Sequence, residues 1–432
     1  MRFLYSIGLY LYTFGIRLAA LVGHQKARQM VQGWQQWSSA VRNLEAGRPT
    51  AWFHAASLGE FEQARPVLET FRQRHPDYQV VVTFFSPSGY EVRKNYPHAE
   101  ALCYLPMDTP RNVRHFLQLV NPTMVFFVKY EFWYNYLGAL RTRGIPTYLF
   151  SSIFRPEQYF FRWYGGWFRR QLRTCFRHIF VQNAESLAVL RGHGVEQCSL
   201  AGDTRFDRVH QIAQAAEGNA VVEAFLANHE GDVLVAGSTW PPDEQLLADA
   251  MLNGATHATA KIILAPHVIS EEHLKQIEGL FPDSIRYSAV SQLLSAQDSA
   301  PQSSCSPATY RILIIDNIGL LSKIYRYATV AYIGGGFGVG IHNILEAVTF
   351  GKPVLFGPNY HKFQEACDIV ERGGGWSVAS SADFVARTAP LWQNDADGRT
   401  PTSALAQASQ VCLTYMNDNL GSTEKILSLL DL

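Results

Sequence analysis

Between Pro49 and Phe356 short apolar runs alternate with longer amphipathic stretches. That pattern leaves a chain few options, because parallel strands buried on both faces need helical crossovers between them. The runs Ala51–Ala55, Gln79–Phe85, Ala101–Leu105, Thr123–Val128, Pro146–Phe150, Ile179–Gln182 and Cys198–Ala201 form one series. Asp232–Ala236, Lys261–Leu264, Ile312–Ile315, Val330–Ile333 and Pro353–Phe356 form a second. Between them, 207–231 is polar, rich in alanine and without a strand pattern, and reads as an interdomain linker. With 432 residues there is length for two cores. The expected class is α/β, two Rossmann-like parallel-sheet domains facing a central cleft, with ligands at the carboxyl ends of the strands. The predicted segments are 1–48 (N-terminal), 49–206 (first domain), 207–231 (linker), 232–403 (second domain) and 404–432 (C-terminal helices). Ser295–Thr309, dense in serine and proline, reads as a flexible surface insertion.

The second domain carries the densest glycine run. Val330–Ile333 leads into Gly334, Gly335, Gly336, Gly338 and Gly340, then a predicted helix from about Asn343 to Gly351 with Pro353 beyond. Missing Cβ atoms let backbone press against a ligand, and a helix N-terminus presents N–H groups to phosphate. The GxGxxG spacing fails at Val339 and Ile341, and no GxxxxGK[ST] occurs. Asn343 and Glu346, three residues apart, suit a capping pair as well as a ligand contact. The Gly237–Thr239 turn, with Ser238 and Thr239, and the loop glycines Gly335 and Gly336 are candidate donor-phosphate contacts. Pro266 and His267 follow another strand end.

In the first domain Glu60 follows a strand and a tight Ser57-Leu58-Gly59 turn, where a carboxylate can serve as general base or, with Ser57, close a capping box. Glu131 stands just past another strand end, with Lys129 near enough in sequence to pair with either acid. Arg205 follows a third strand and can meet phosphate charge. Arg155, Arg162, Arg169, Arg170 and Arg173, interleaved with aromatics, are candidate acceptor or membrane contacts; an ordinary amphipathic helix is the plainer alternative.

Charge balances at 37 basic and 37 acidic residues, which argues against a nucleic-acid partner. The six cysteines show no CxxC and no zinc-ligand spacing, and HExxH and GxSxG are absent. Reduced thiols and no structural metal are expected. The first acidic residue is Glu45, whereas Arg2, Arg17, Lys26, Arg28 and Arg42 precede it around an apolar, aromatic stretch, Phe3–Val22. Residues 1–48 therefore read as a segment associating with an anionic membrane surface, and a helix packed in its own core is the alternative.

Taken in order, HAASLGE at 54–60, YEFWYN at 130–135, GDTRFD at 202–207, AGSTW at 236–240, and GGGFGVGIHNILEA followed by GKPVLFGP resemble one family. The chain is similar over nearly its whole length to the 3-deoxy-D-manno-octulosonic acid (Kdo) transferases of lipopolysaccharide assembly. The resemblance implies a GT-B fold with an acceptor domain first and a CMP-sugar domain second. It implies CMP-Kdo as donor, a lipid A precursor (lipid IVA) as acceptor, inversion, and work at the cytoplasmic face of the bacterial inner membrane. Glu60 falls on the family's general base, and Glu131 and Arg205 on positions that support the transition state. Pro266 and His267, then Ile318, Gly319 and Leu320, then Asn343, Ile344, Leu345 and Glu346, match its CMP-contacting segments. The family's first acid of Glu-x-Glu is Lys129 here, its Pro-Arg pair is Pro266-His267, its Met-Gly-Glu is Ile318-Gly319-Leu320, and its lysine is Arg205. No metal or other cofactor is expected, since fixed positive groups can stabilise departing CMP. The alternatives are a UDP-sugar-dependent transferase or epimerase of the same architecture, and a non-catalytic nucleotide-sugar or lipid-binding scaffold.

Overall fold

The computed structural model describes residues 2–253, 260–297, 306–392 and 402–430. The chain divides into two compact units, Met1–Arg208 with Asn419–Leu432, and Val209–Asp418. The first holds strands β1 (Thr50–Ala55), β2 (Gln79–Phe84), β3 (Ala101–Tyr104), β4 (Met124–Val128), β5 (Thr147–Ser152), β6 (His178–Val181) and β7 (Cys198–Leu200). They form one parallel sheet in the order β3-β2-β1-β4-β5-β6-β7. The second unit holds β8 (Val233–Thr239), β9 (Lys261–Pro266), β10 (Ser284–Arg286), β11 (Ile312–Ile314), β12 (Val330–Ile333), β13 (Val354–Phe356) and β14 (Gly375–Ser377), ordered β10-β11-β9-β8-β12-β13-β14. Every residue of β1, β2 and β4 is buried, as strands covered by helices on both faces must be. Alternate side chains feed two cores: Trp52 packs with Phe116 and Phe127 on one face, and Phe53 stacks on Phe126 at 4.4 Å on the other. In each sheet the strand order reverses beside the first strand, between β1 and β4 and between β8 and β12. Such switch points open crevices at the carboxyl ends.

Three expected segments differ. Residues 207–231 are no bare linker: they carry most of the helix Thr204–Gln214 and all of Ala220–Phe225, whose N-terminus Asn219 caps and whose Val222 and Phe225 are buried. The C-terminal helices are shared out, Ser403–Asn419 ending at the unit boundary and Ser422–Leu427 lying in the first unit. There Asp207 accepts from the backbone N–H groups of Gly421 (2.8 Å) and Thr423 (2.6 Å). Of the expected insertion, 298–305 lie outside the described residues, and Pro307–Thr309 form a 3-10 turn.

The N-terminal segment forms helices Arg2–Leu21 and Gln25–Ala40, bent by 119°. Among the described residues no single helix is long and apolar enough to cross a membrane, although this bent pair passes together. Tyr5 donates to Asp108 (2.6 Å) and Tyr12 stacks on Phe85, while Leu11, Phe14, Leu18, Leu21 and Val22 are exposed. Core packing is thus excluded for those five side chains.

Candidate active site

In the first unit the chemistry gathers where β1 and β4 end. The helix Leu58–Arg74 starts directly after β1, with Ser57 as N-cap. Ser57 makes no capping bond; its hydroxyl donates instead to the Glu60 carboxylate. The capping-box alternative therefore gives way to a carboxylate held by a neighbouring hydroxyl and half-exposed in the first turn.

Glu131 belongs to a network that reaches into the sheet. Its Oε2 accepts from Trp133 Nε1 (2.7 Å) and lies 3.0 Å from His54 Nε2. His54, fully buried at the end of β1, places Nδ1 2.8 Å from Thr83 Oγ1, which accepts from Trp52 Nε1 (2.8 Å). Trp52 donates to Thr83. With Thr83 donating to His54 Nδ1, His54 Nε2–H and Trp133 Nε1–H both serve Glu131; with the proton on Nδ1 instead, it meets the Thr83 carbonyl (3.1 Å) and Nε2 accepts from Trp133 Nε1 (3.1 Å), so the network accommodates either tautomer. Glu131 Oε1 has no hydrogen-bond partner among the described residues. Lys129 pairs with no carboxylate among the described residues, contrary to the expected ion pair. Its backbone is left-handed, φ +60°, a conformation that costs about 1–3 kcal/mol outside glycine and that sets the turn presenting Glu131.

Arg205 lies beyond β7. Its Nε and Nη2 both meet Asp203 Oδ2 at 2.7 Å, and Asp203 Oδ1 accepts from Gln63 Nε2 (3.2 Å). Thr204 Oγ1 also donates to Gln63 O (2.7 Å). Gln63 is three residues past Glu60 on the same helix. The turn bearing Arg205 is thus pinned to the helix bearing Glu60, with the guanidinium oriented by Asp203.

Residues 154–178 form two 3-10 turns, Tyr159–Phe161 and Trp163–Gly165, before the helix Gly166–Cys175. Arg169 is a clamp rather than a surface cation: one Nη1 donates to the carbonyls of Phe160 and Arg162. Arg155, Arg162, Arg170 and Arg173 are exposed, and Trp163 is 91% exposed.

In the second unit the ends of β8, β9 and β12 meet. His267 N–H donates to Thr239 O (2.9 Å), the His267 ring stacks on Trp240 (4.8 Å) and on His342 (4.4 Å), and Trp240 Nε1 donates to His342 Nε2 (3.3 Å). Burial, then the like charge of His267, holds the His342 imidazole below its ordinary value, with Asp243 opposing. Asp243 itself is fully buried and accepts from Trp240 N (2.9 Å), Tyr332 OH (2.8 Å) and Gly335 N (2.9 Å). Glu244 accepts from Thr239 Oγ1 (2.9 Å) and meets His273 Nε2 (2.9 Å).

These bonds revise several expectations. The Gly335 N–H is committed to Asp243, so it is not free for phosphate. A Cβ at Gly334 would lie 2.3 Å from Ser238 O, and one at Gly336 2.6 Å from Gly357 backbone. Gly334 and Gly336 are required by backbone-to-backbone packing between loops. The predicted Asn343–Gly351 helix shrinks to Leu345–Val348, too short for a useful dipole end; Ile344 is its N-cap, and Asn343 just before it accepts from Leu345 N (3.2 Å) while its Nδ2 donates to Glu346 (3.3 Å). Ile344 and Leu345 are fully buried, so their side chains belong to the core. Pro266 is buried at the end of β9, Ile318–Leu320 form an exposed loop after β11, and Ser238, φ +53°, has a hydroxyl without a partner among the described residues. Thr83, Asp243 and Glu244 stand outside the motifs singled out in the sequence, whereas His54, Trp240 and His342 lie inside HAASLGE, AGSTW and GGGFGVGIHNILEA with no role given to them. The two acids leave a signal of their own, an Asp-Glu pair in the first turn of the helix after Gly-Ser-Thr. No group of three His, Cys, Asp or Glu side chains among the described residues is placed to hold a metal ion.

Two parallel-sheet units with crossover helices and loops gathered at the switch points define a GT-B type α/β protein. Solved structures share this fold: the UDP-GlcNAc 2-epimerase of Neisseria meningitidis bound to UDP-GlcNAc (15% identity, TM-score 0.56, 88% of this chain and 98% of that one) and that of Methanocaldococcus jannaschii (13%, 0.52, 85% and 99%). Residues 30–208 match the family model of 3-deoxy-D-manno-octulosonic-acid transferase (kdotransferase). Relatives described as 3-deoxy-D-manno-octulosonic acid transferase include one from Bordetella pertussis (26% identity, 96% of this chain and all of that protein) and one from Aquifex aeolicus strain VF5 (25%, 81% and 88%). Together these matches make the chain similar to the Kdo transferases over most of its length, and they indicate a glycosyltransferase.

Proposed function

We propose that this glycosyltransferase moves Kdo from CMP-Kdo onto a lipid A precursor (lipid IVA) in lipopolysaccharide synthesis, with inversion and without a metal. The carrying observation is Glu60, a half-exposed carboxylate at the carboxyl end of β1 whose one side-chain partner among the described residues is Ser57, in the segment matched by the family model. Glu60 takes the proton of an acceptor sugar hydroxyl. The oxygen attacks the Kdo anomeric carbon as the bond to the CMP phosphate oxygen breaks, and the electron pair leaves with CMP. Arg205 and Glu131 support charge in this transition state, and the Ser238, His267 and Asn343 loops of the second unit bind the nucleotide. Work at the cytoplasmic face of the inner membrane, through residues 1–48, belongs to the same reading.

The test is transfer to lipid A precursor in detergent, with CMP-Kdo and UDP-GlcNAc offered in parallel to wild type and Glu60→Gln. Product from CMP-Kdo alone, lost by at least a hundredfold in Glu60→Gln with CMP binding intact, is expected. Product from UDP-GlcNAc, or near-native turnover by the variant, would overturn the donor or the base respectively.

A further inference from the structure

Three helices of the first unit, Pro110–Leu119, Tyr134–Thr142 and Gly166–Cys175, border a cleft of about 680 Å³. Arg114, Arg141, Arg143 and Arg170 line it, with no Asp or Glu among the lining residues. None of the four is paired with a carboxylate among the described residues; Arg143 donates to Leu117 O (2.8 Å). Guanidinium groups gathered without counter-charge repel one another, so the arrangement gains by taking up an anion. Two further observations show a site rather than a scatter of surface arginines. Gln171 lines the cleft, is 7% exposed, and its Oε1 has no partner among the described residues. A buried unpaired amide costs about 1–3 kcal/mol, and a ligand hydroxyl would satisfy it. At Cys175, burial pushes the thiol up, while the Thr174 hydrogen bond and then the charges of Arg141 and Arg170 pull it down.

Tyr134 gives the cleft its direction. It lines one end, three residues past Glu131, and its ring meets Trp167 at 5.5 Å. Arg141 lies seven residues further along the same helix, about 10 Å at 1.5 Å per residue. The cleft therefore runs from aromatic rings beside the Glu131 network to a group of cations.

We propose that this cleft binds the phosphate-bearing sugar headgroup of the glycolipid acceptor. A phosphate sits between the forks of Arg114, Arg141 and Arg170, a sugar hydroxyl donates to Gln171, and the sugar face lies on Trp167 and Tyr134. The assignment rests on the proposed function and adds a place where acceptor phosphorylation is read. A simple phospholipid would supply the anion but neither a sugar face for the rings nor a reason for the cleft to begin next to Glu131.

The experiment compares wild type, Arg114→Gln/Arg141→Gln and the charge-keeping Arg114→Lys/Arg141→Lys on lipid A precursor, intact and after phosphatase removal of its phosphates. The glutamine pair should lose at least tenfold in kcat/KM on the intact acceptor, mainly through KM, with no loss on the dephosphorylated one; the lysine pair should recover part. Unchanged CMP binding reports an intact fold. Equal losses on both acceptors, or none on either, would overturn the site. Co-sedimentation with micelles carrying either acceptor reads the cleft without turnover, so an inactive wild type would sink the proposed function while this arm still decided the cleft. A matching loss of binding to phosphatidylglycerol vesicles would assign the arginines to bulk lipid and overturn the acceptor reading.

Discussion

At the scale of single residues, the site is a set of commitments already made before substrate arrives. His54 is oriented by Thr83 and faces Glu131; Asp203 orients Arg205; Asp243 closes three loops. Fixed donors and acceptors of this kind need no reorganisation during reaction. Asp232, at the entrance to β8, is the opposite case. Burial pushes its carboxyl up to about 6, against the Thr329 hydrogen bond that lowers it. The folded unit holds this proton more tightly than the unfolded chain, so the stabilising contribution is complete below about pH 3.9 and is lost as pH rises through about 6. Asp232→Asn should therefore stabilise at pH 7.5 by about 1 kcal/mol, allowing for half-exposure and screening, and the gain should shrink as pH falls towards 4. Urea unfolding at pH 7.5 and 5 checks this; a gain that grew on acidification would reverse the sign. Glu60, Glu131 and Arg205 were legible in the sequence because each follows an apolar run. His54 was not, because its partners Thr83 and Glu131 stand 29 and 77 residues away and only the sheet brings them together.

At the scale of elements, the parallel sheets were readable because strands buried on both faces must be apolar throughout. β10 and β14 were not: each is a three-residue edge, Ser-Ile-Arg and Gly-Trp-Ser, with no apolar run to find. The glycine run told that something approaches closely but not what, since backbone and ligand make the same demand for a missing Cβ. The structure separates the glycines. Gly336→Ala would drive a methyl to 2.6 Å from Gly357, whereas a Cβ at Gly338 would find only Gly335 O, at 3.5 Å. Gly336→Ala should cost about 1–3 kcal/mol and weaken CMP binding by displacing the loop, while Gly338→Ala should do neither. Thermal unfolding and CMP titration of the two variants measure the contrast, and equal behaviour would mean the loop packing is not what the glycines serve.

At the scale of the whole molecule, the N-terminal helices join the Glu131 network to an apolar surface. Tyr5 and Tyr12 tie Arg2–Leu21 to Asp108 and Phe85, and Phe85 packs on Trp133 at 4.9 Å, which donates to Glu131. On the same helix Leu11 (66% exposed), Phe14 (67%) and Leu21 (80%) meet solvent without an acidic residue among them. Burying such a side chain is worth about 1.5–3 kcal/mol, so three of them entering a bilayer interface from a helix already folded favour attachment by several kcal/mol. The apolar stretch was legible in the sequence, but its side chains could not be divided between core and surface until the docking of Tyr5 and Tyr12 fixed the helix face. The triple variant Leu11→Asp, Phe14→Asp, Leu21→Asp should lower partition onto phosphatidylglycerol-containing vesicles by at least a hundredfold and leave transfer to detergent-dispersed acceptor within about threefold, because none of the three contacts the Glu131 network. Partition retained by the triple variant would move membrane attachment to another surface, such as the exposed Trp163 turn. A collapse of transfer in detergent would instead show that the helix holds the active site together, and that its exposed face serves stability before it serves a membrane.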